Sequence, residues 1–223
     1  MGQLMSQGAV FLSAGVPDPS AAHFVREADS VAISSAVSAL LQVTLGRRKL
    51  VWGGHPSITP MVWAFSESIG VDYGDWVLLY QSRRFEDEFP EENERFQNVV
   101  YTDRVGDDVN ASLAVMRSRM LEENRFDAAV FVGGMRGVLD EYELFRNRAP
   151  EAAVLPIMST GGAAQVLGQE IEAPAALATN LDYVELLYDQ LAIDPNERRY
   201  TKLADQPTDI EARLFRPRRS RPV

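Results

Sequence analysis

The sequence predicts an α/β fold: one domain in which helices cover a parallel β-sheet. Three observations predict it. Short β-branched or aromatic runs alternate with longer helical stretches, joined by short connections. Most of these runs are apolar throughout, as strands buried on both faces must be. Hydrophobic residues make up 46% of the 223-residue chain, enough for a packed core.

The strands are expected at 9–15 (AVFLSAG), 49–54 (KLVWGG), 75–82 (DWVLLYQS), 98–103 (NVVYTD), 127–134 (DAAVFVGG) and 152–162 (AAVLPIMSTGG). Helical patterns fall at 25–46, 59–70, 107–124, 138–149, 162–168 and 181–192. The charged stretch SRRFEDEFPEENERF at 82–96, broken by Pro90, reads as a loop with a short helix outside the sheet. No internal repeat is visible. Residues 1–196 are taken as the domain and 197–223 as a C-terminal arm ending in a basic tail.

Composition excludes several function classes. No stretch of about 18 apolar residues exists to cross a membrane. The opening MGQLMSQGAVFLSAG lacks the charged and apolar regions of a secretory signal, so a cytoplasmic location is expected. There is no cysteine, which removes disulfides, thiolate zinc sites and cysteine nucleophiles. Only two histidines occur, so neither a metal site nor a cofactor is expected. A net charge of -10 opposes binding to nucleic acid. The tail RLFRPRRSRPV (213–223) reverses that charge locally, and reads as a solvated end or a docking or oligomer-clasping segment.

Four strands end in small residues. They are Ser13-Ala14-Gly15, Gly53-Gly54-His55-Pro56-Ser57, Gly133-Gly134-Met135-Arg136-Gly137 and Ser159-Thr160-Gly161-Gly162. Glycine lets backbone amides approach a ligand closely. A helix start behind such a turn adds unpaired N–H groups and a positive dipole end. Ligands of parallel sheets bind at this carboxyl edge. The alternative is plain strand–helix geometry. Neither a dinucleotide fingerprint nor a P-loop is present.

Carboxylates at Asp140, Glu141 and Glu143 follow the third turn. The helix dipole alone favours acids there. Beside a phosphate cradle, Glu141 would face a sugar, binding its hydroxyls or stabilising an oxocarbenium-like centre. His55 sits at a strand end and is a candidate contact to phosphate or base. His23 reads as peripheral, and Trp52 as core rather than a stacking platform. Arg83 and Arg84 leave the strand at the same edge, placed for a phosphate or for the acids after them. No nucleophile elbow surrounds Ser13.

The motifs resemble the SLOG superfamily, which groups lonely-guy (LOG) phosphoribohydrolases, Smf/DprA-type domains and sensor domains of bacterial conflict systems. LOG enzymes carry P-G-G-x-G-T-x-x-E after a Met-x-x-Arg-Lys segment. Gly133, Gly134, Gly137, Val138 and Glu141 are similar to that pattern, with Val132 for the proline, one extra residue at Met135-Arg136, and Val138 for the threonine. VMRSRMLEE (115–123) resembles the upstream segment, with either Arg117 or Arg119 as its arginine. STGGAA is more similar to SLOG proteins found beside TIR and sirtuin-like effectors. The resemblance covers residues 8–170. It implies a Rossmann-like fold and a nucleotide or ADP-ribose-derived ligand, sensed in a signalling or antiviral defence system. Glu141, Arg117 and Arg119 would be the catalytic candidates if the site cleaves an N-glycosidic bond. The ligand set would be Ser13, Gly15, Gly53, Gly54, His55, Ser57, Arg83, Gly133, Gly134, Met135, Arg136, Gly137, Thr160, Gly161 and Gly162. A homodimer or higher homo-oligomer and an effector protein are the implied partners.

Overall fold

A computed structural model describes residues 8–25 and 28–215. Six strands form one parallel sheet: β1 (Ala9–Gly15), β2 (Leu50–Trp52), β3 (Val77–Ser82), β4 (Val99–Thr102), β5 (Phe126–Gly133) and β6 (Ala153–Ile157). Their order is β4-β3-β2-β1-β5-β6. The chain first winds outward from β1 to β4, then returns to the other side of β1. That reversal between β1 and β5 opens a crevice at their carboxyl ends, where α/β sheets place ligands.

The helices are α1 (Ala22–Val25), α2 (Ser30–Thr44), α3 (Thr59–Ile69), α4 (Tyr73–Trp76), α5 (Val109–Glu122), α6 (Arg136–Arg148), α7 (Gly162–Glu170), α8 (Ala176–Thr179) and α9 (Tyr183–Gln190). Alternation along each strand assigns the two faces. On one face Val10, Leu12, Leu50, Leu79, Val130 and Val132 pack with Ile33, Val37 and Leu40 of α2, Val62 of α3 and Leu187 of α9. On the other, Phe11, Val51, Tyr80 and Phe131 meet Met116 and Met120 of α5, Phe145 of α6 and Leu167 of α7. Phe11 stacks on Phe145 with ring centroids 5.5 Å apart, tying β1 to α6 across the sheet. Among the described residues, no helix is long and apolar enough to cross a membrane.

Several details differ from the sequence reading, and the clearest have a local reason. The helix expected from residue 25 is a short α1 and a main helix that starts at Ser30. Asp29 stops it there by capping: its carboxylate accepts from the Val31 and Ala32 amides. The last strand ends at Ile157, not 162, because the chain turns into a 3₁₀ segment at Met158–Thr160. This strand tolerates Pro156 because it lies at the sheet edge. Residues 82–96 contain two 3₁₀ segments, Arg83–Glu88 and Glu91–Arg95.

The described part of the C-terminal arm packs back on the domain. The Tyr200 amide donates to Gly46 O (2.9 Å) and the Trp76 indole to Thr201 O (3.0 Å). Glu197, 2% exposed, accepts both Arg48 Nη1 (2.8 Å) and Nη2 (3.0 Å). Arg213 reaches the same carboxylate at 3.4 Å. Residues 216–223 of the basic tail lie outside the described residues.

Candidate functional site

The carboxyl ends of β1, β2 and β5 surround a cavity of about 290 Å³. Hydrogen bonds beyond the strands shape its floor. The Gly134 amide donates to Gly15 O at 2.7 Å, carrying the β1–β5 pairing one step further. Gly133 has φ +56°, and a Cβ there would sit 2.7 Å from Gly15 O and 2.5 Å from Ile33 Cδ1. Only glycine fits both the left-handed backbone and the space. The chain then enters α6. Met135, at its N-cap, makes no side-chain cap bond. The amides of Arg136 and Gly137 in the first turn have no partner among the described residues. This leaves an uncapped helix N-terminus at the cavity, a suitable place for an anion. Met135 itself is held from outside, where its sulfur accepts from the Asp18 amide at 3.3 Å.

Glu141 projects from the second turn of α6 into the cavity wall. Both carboxylate oxygens are engaged. Ser13 Oγ donates to Oε2 at 2.6 Å, and Arg117 Nε donates to Oε1 at 3.1 Å. The side chains of Arg117 and Glu141 are 12% and 14% exposed, so the pair sits largely out of water. Arg117 also reaches the Gly137 carbonyl through Nη2 at 3.4 Å. Its guanidinium lies against Gly137: a Cβ there would be 2.9 Å from Nη2. The glycine is therefore a seat for the arginine. Each Glu141 oxygen keeps a further lone pair, free to accept a ligand hydroxyl.

His55 closes the opposite side. Burial lowers its pKa below the ordinary 6.5, so the ring is neutral at pH 7. Nδ1 accepts from the Ser57 amide at 3.2 Å. The proton therefore resides on Nε2. That nitrogen faces Gly15, where a Cβ would meet it at 3.3 Å. A larger residue at position 15 would push the imidazole away.

Ten of the residues picked from the sequence converge on this cavity: Ser13, Gly15, Gly53, Gly54, His55, Arg117, Gly134, Met135, Gly137 and Glu141. The others stand elsewhere. Gly133 supports the floor from behind. Thr160 is fully buried, accepting from the Gly133 amide at 2.9 Å and donating to Ile157 O at 2.6 Å. Gly161 and Gly162 follow it, and the Ala163 amide bonds to Gly134 O at 3.0 Å. The fourth glycine turn thus braces the third and does not line the cavity. Ser57 is exposed, and meets the site only through its amide. Arg83 pairs with Glu86 at 3.0 Å and Arg136 with Asp140 at 2.9 Å, both outside. Arg119 turns away to Glu123 at 2.7 Å, leaving Arg117 as the arginine of the cavity.

Several lining residues were not among the sequence candidates. Gln81 closes β3. Phe85, Glu88, Phe89 and Pro90 come from the charged stretch read as an outer loop, and Leu113 and Met116 from α5. The signal for the loop was its aromatic content: Phe85 and Phe89 lie among acids, where a solvated segment has little use for them. Trp52 is buried, as expected of a core residue, but also contributes to the wall. Among the described residues no cluster could hold a metal ion.

Compared with known protein families, residues 23–191 match the SLOG cluster3 family. No curated protein and no solved structure matches the chain. The matched segment takes in three of the glycine turns together with Arg117 and Glu141, and it covers well over half of the sequence. On that evidence, the chain belongs to the SLOG cluster3 family.

Proposed function

We propose that the chain binds a nucleotide or ADP-ribose-derived ligand at the carboxyl edge of its sheet. One observation carries the reading: a carboxylate fixed from both sides stands beside an uncapped helix N-terminus. The helix start and the Gly134–Gly137 backbone take the phosphate. Glu141 is one turn further on, so it faces the sugar and accepts its hydroxyls. His55 supplies a neutral N–H donor. The ligand would act as a signal in a cytoplasmic signalling or antiviral defence circuit. There the protein would work as a homo-oligomer with an effector.

The test is thermal unfolding with AMP, ADP-ribose, cyclic ADP-ribose isomers and NAD, each sample then analysed for free base. Binding to the folded state raises the midpoint. A shift with intact ligand is expected. No shift with any of them overturns the reading.

The Ser13–Glu141–Arg117 arrangement favours a second reading, hydrolysis of an N-glycosidic bond. Water would add to the anomeric carbon while the C–N bond breaks; the base leaves with the electron pair and takes up the proton that the water gives up. Glu141, oriented by Ser13 and Arg117, would stabilise the positive charge that develops on the sugar. Release of free base that disappears in Glu141→Gln would establish this activity.

A further inference from the structure

The cavity has a part that the phosphate and sugar contacts leave unused. It lies toward β3, two strands from β1, or roughly 10 Å at the usual strand spacing. Trp52, Phe85, Phe89, Leu113 and Met116 give it apolar walls. Two uncharged polar groups stand among them: the Gln81 amide and the indole N–H of Trp52, which is buried with no partner among the described residues.

Gln81 is 7% exposed and lines the cavity. Its side-chain amide has no hydrogen-bond partner among the described residues. The fold does not require that amide. Its backbone makes the sheet contacts, opposite Tyr101 on β4 and accepting from Thr102 Oγ1. The amide opens onto the cavity without a partner among the described residues, so its donors and acceptor are available to a ligand. The backbone accommodates it: a Cβ at Gly54 would lie 2.1 Å from Gln81 Nε2, so the amide rests directly on that glycine.

We propose that this part of the cavity is a nucleobase subsite in which Gln81 reads the edge of the base. The proposal rests on the nucleotide reading above and extends it. A base has two apolar faces and a polar rim. The walls suit the faces, and Gln81 suits the rim. A primary amide offers an acceptor oxygen and a donor NH2 side by side on one carbon, so it pairs with a rim on which donor and acceptor are neighbours. An alkyl group would leave the amide unpaired, and a second sugar would leave the aromatic walls facing hydroxyls. The base and the sugar are thus held by different strand ends, which sets the ligand's direction across the sheet.

The experiment is calorimetric titration of the full chain with AMP, GMP, CMP, UMP and ribose 5-phosphate. It compares the native sequence with Gln81→Leu. At least one nucleotide should bind about tenfold or more tightly than ribose 5-phosphate, because it adds the base contacts. Gln81→Leu should abolish most of that preference while leaving ribose 5-phosphate unchanged. Its unfolding midpoint should stay close to that of the native chain, which separates a lost contact from a lost fold. Equal affinity for ribose 5-phosphate and every nucleotide overturns the subsite while the sugar-phosphate site stands. A base preference that survives in Gln81→Leu overturns the role of Gln81. Failure of every probe, with ADP-ribose and NAD added to the panel, overturns the nucleotide reading itself.

Discussion

Ser13 Oγ donates to Glu141 Oε2 at 2.6 Å, joining residues 128 apart in sequence. The bond crosses from the carboxyl end of β1 to the second turn of α6, and Arg117 of α5 holds the other oxygen. Three elements therefore fix one carboxylate. Arg117→Ala leaves it nearly buried without its cation and should cost about 3 kcal/mol of stability. Adding Glu141→Gln removes the uncompensated charge and should recover most of that loss. Urea unfolding of the four-member cycle measures the coupling. Simple additivity of the two changes would contradict the pairing.

Gly133→Ala and Gly137→Ala should differ in kind. At 133 a methyl group meets the Gly15 carbonyl and a left-handed backbone, so the fold should lose about 1–3 kcal/mol. At 137 it meets only the end of the Arg117 side chain. That variant should unfold near the native midpoint yet lose ligand affinity, because the guanidinium must move. Unfolding and binding measured on the same samples distinguish the two.

His55 gives the site a pH dependence of definite sign. Burial lowers its folded-state pKa below the ordinary 6.5, so the unfolded chain takes up the proton first as pH falls. The His55 contribution is complete above pH 6.5 and declines below it, levelling off once the folded ring also protonates. Between about pH 7.5 and pH 5 the midpoint of the native chain should fall further than that of His55→Gln. Parallel curves for the two proteins would show that His55 is not responsible.

Glu197 clamps the arm. Its carboxylate faces Arg48 and Arg213, which are 8% and 4% exposed. Glu197→Ala would leave two buried guanidinium groups without it, at a cost of about 3–5 kcal/mol. The chain from 197 to 215 should then become sensitive to limited proteolysis. An arm that resists cleavage in the variant would mean that the Tyr200 and Thr201 contacts hold it unaided.

The strands were legible because buried parallel strands must be apolar on both faces, and the runs at 9–15 and 127–134 have no other reading. Helix starts were less legible. Asp29 is one of many acids, and only the bonds to Val31 and Ala32 mark it as a cap. In the site, Gly15, Gly54 and Gly134 were visible because glycine at a strand end has few uses. Gln81 was not visible. At the end of DWVLLYQS it reads as the polar residue that finishes a strand, and its unpaired amide exists only once α5 and the 83–90 segment close over it.

The sequence by itself determined the parallel α/β class, the alternation that buries both sheet faces, and the glycines at the carboxyl edge. These follow from local periodicity and backbone sterics, which neighbouring residues settle. Tertiary structure decided which arginine enters the cavity and which glycine turns line it. Arg117 and Arg119 are two residues apart on a helix, about 200° around its axis at 100° per residue, so only one can face α6. Similarly, Thr160-Gly161-Gly162 looks like the other turns in composition. It follows the edge strand β6, however, and the strand order places it behind β5, bracing Gly133. Spacing along the chain cannot carry that information, because it depends on which strands are neighbours.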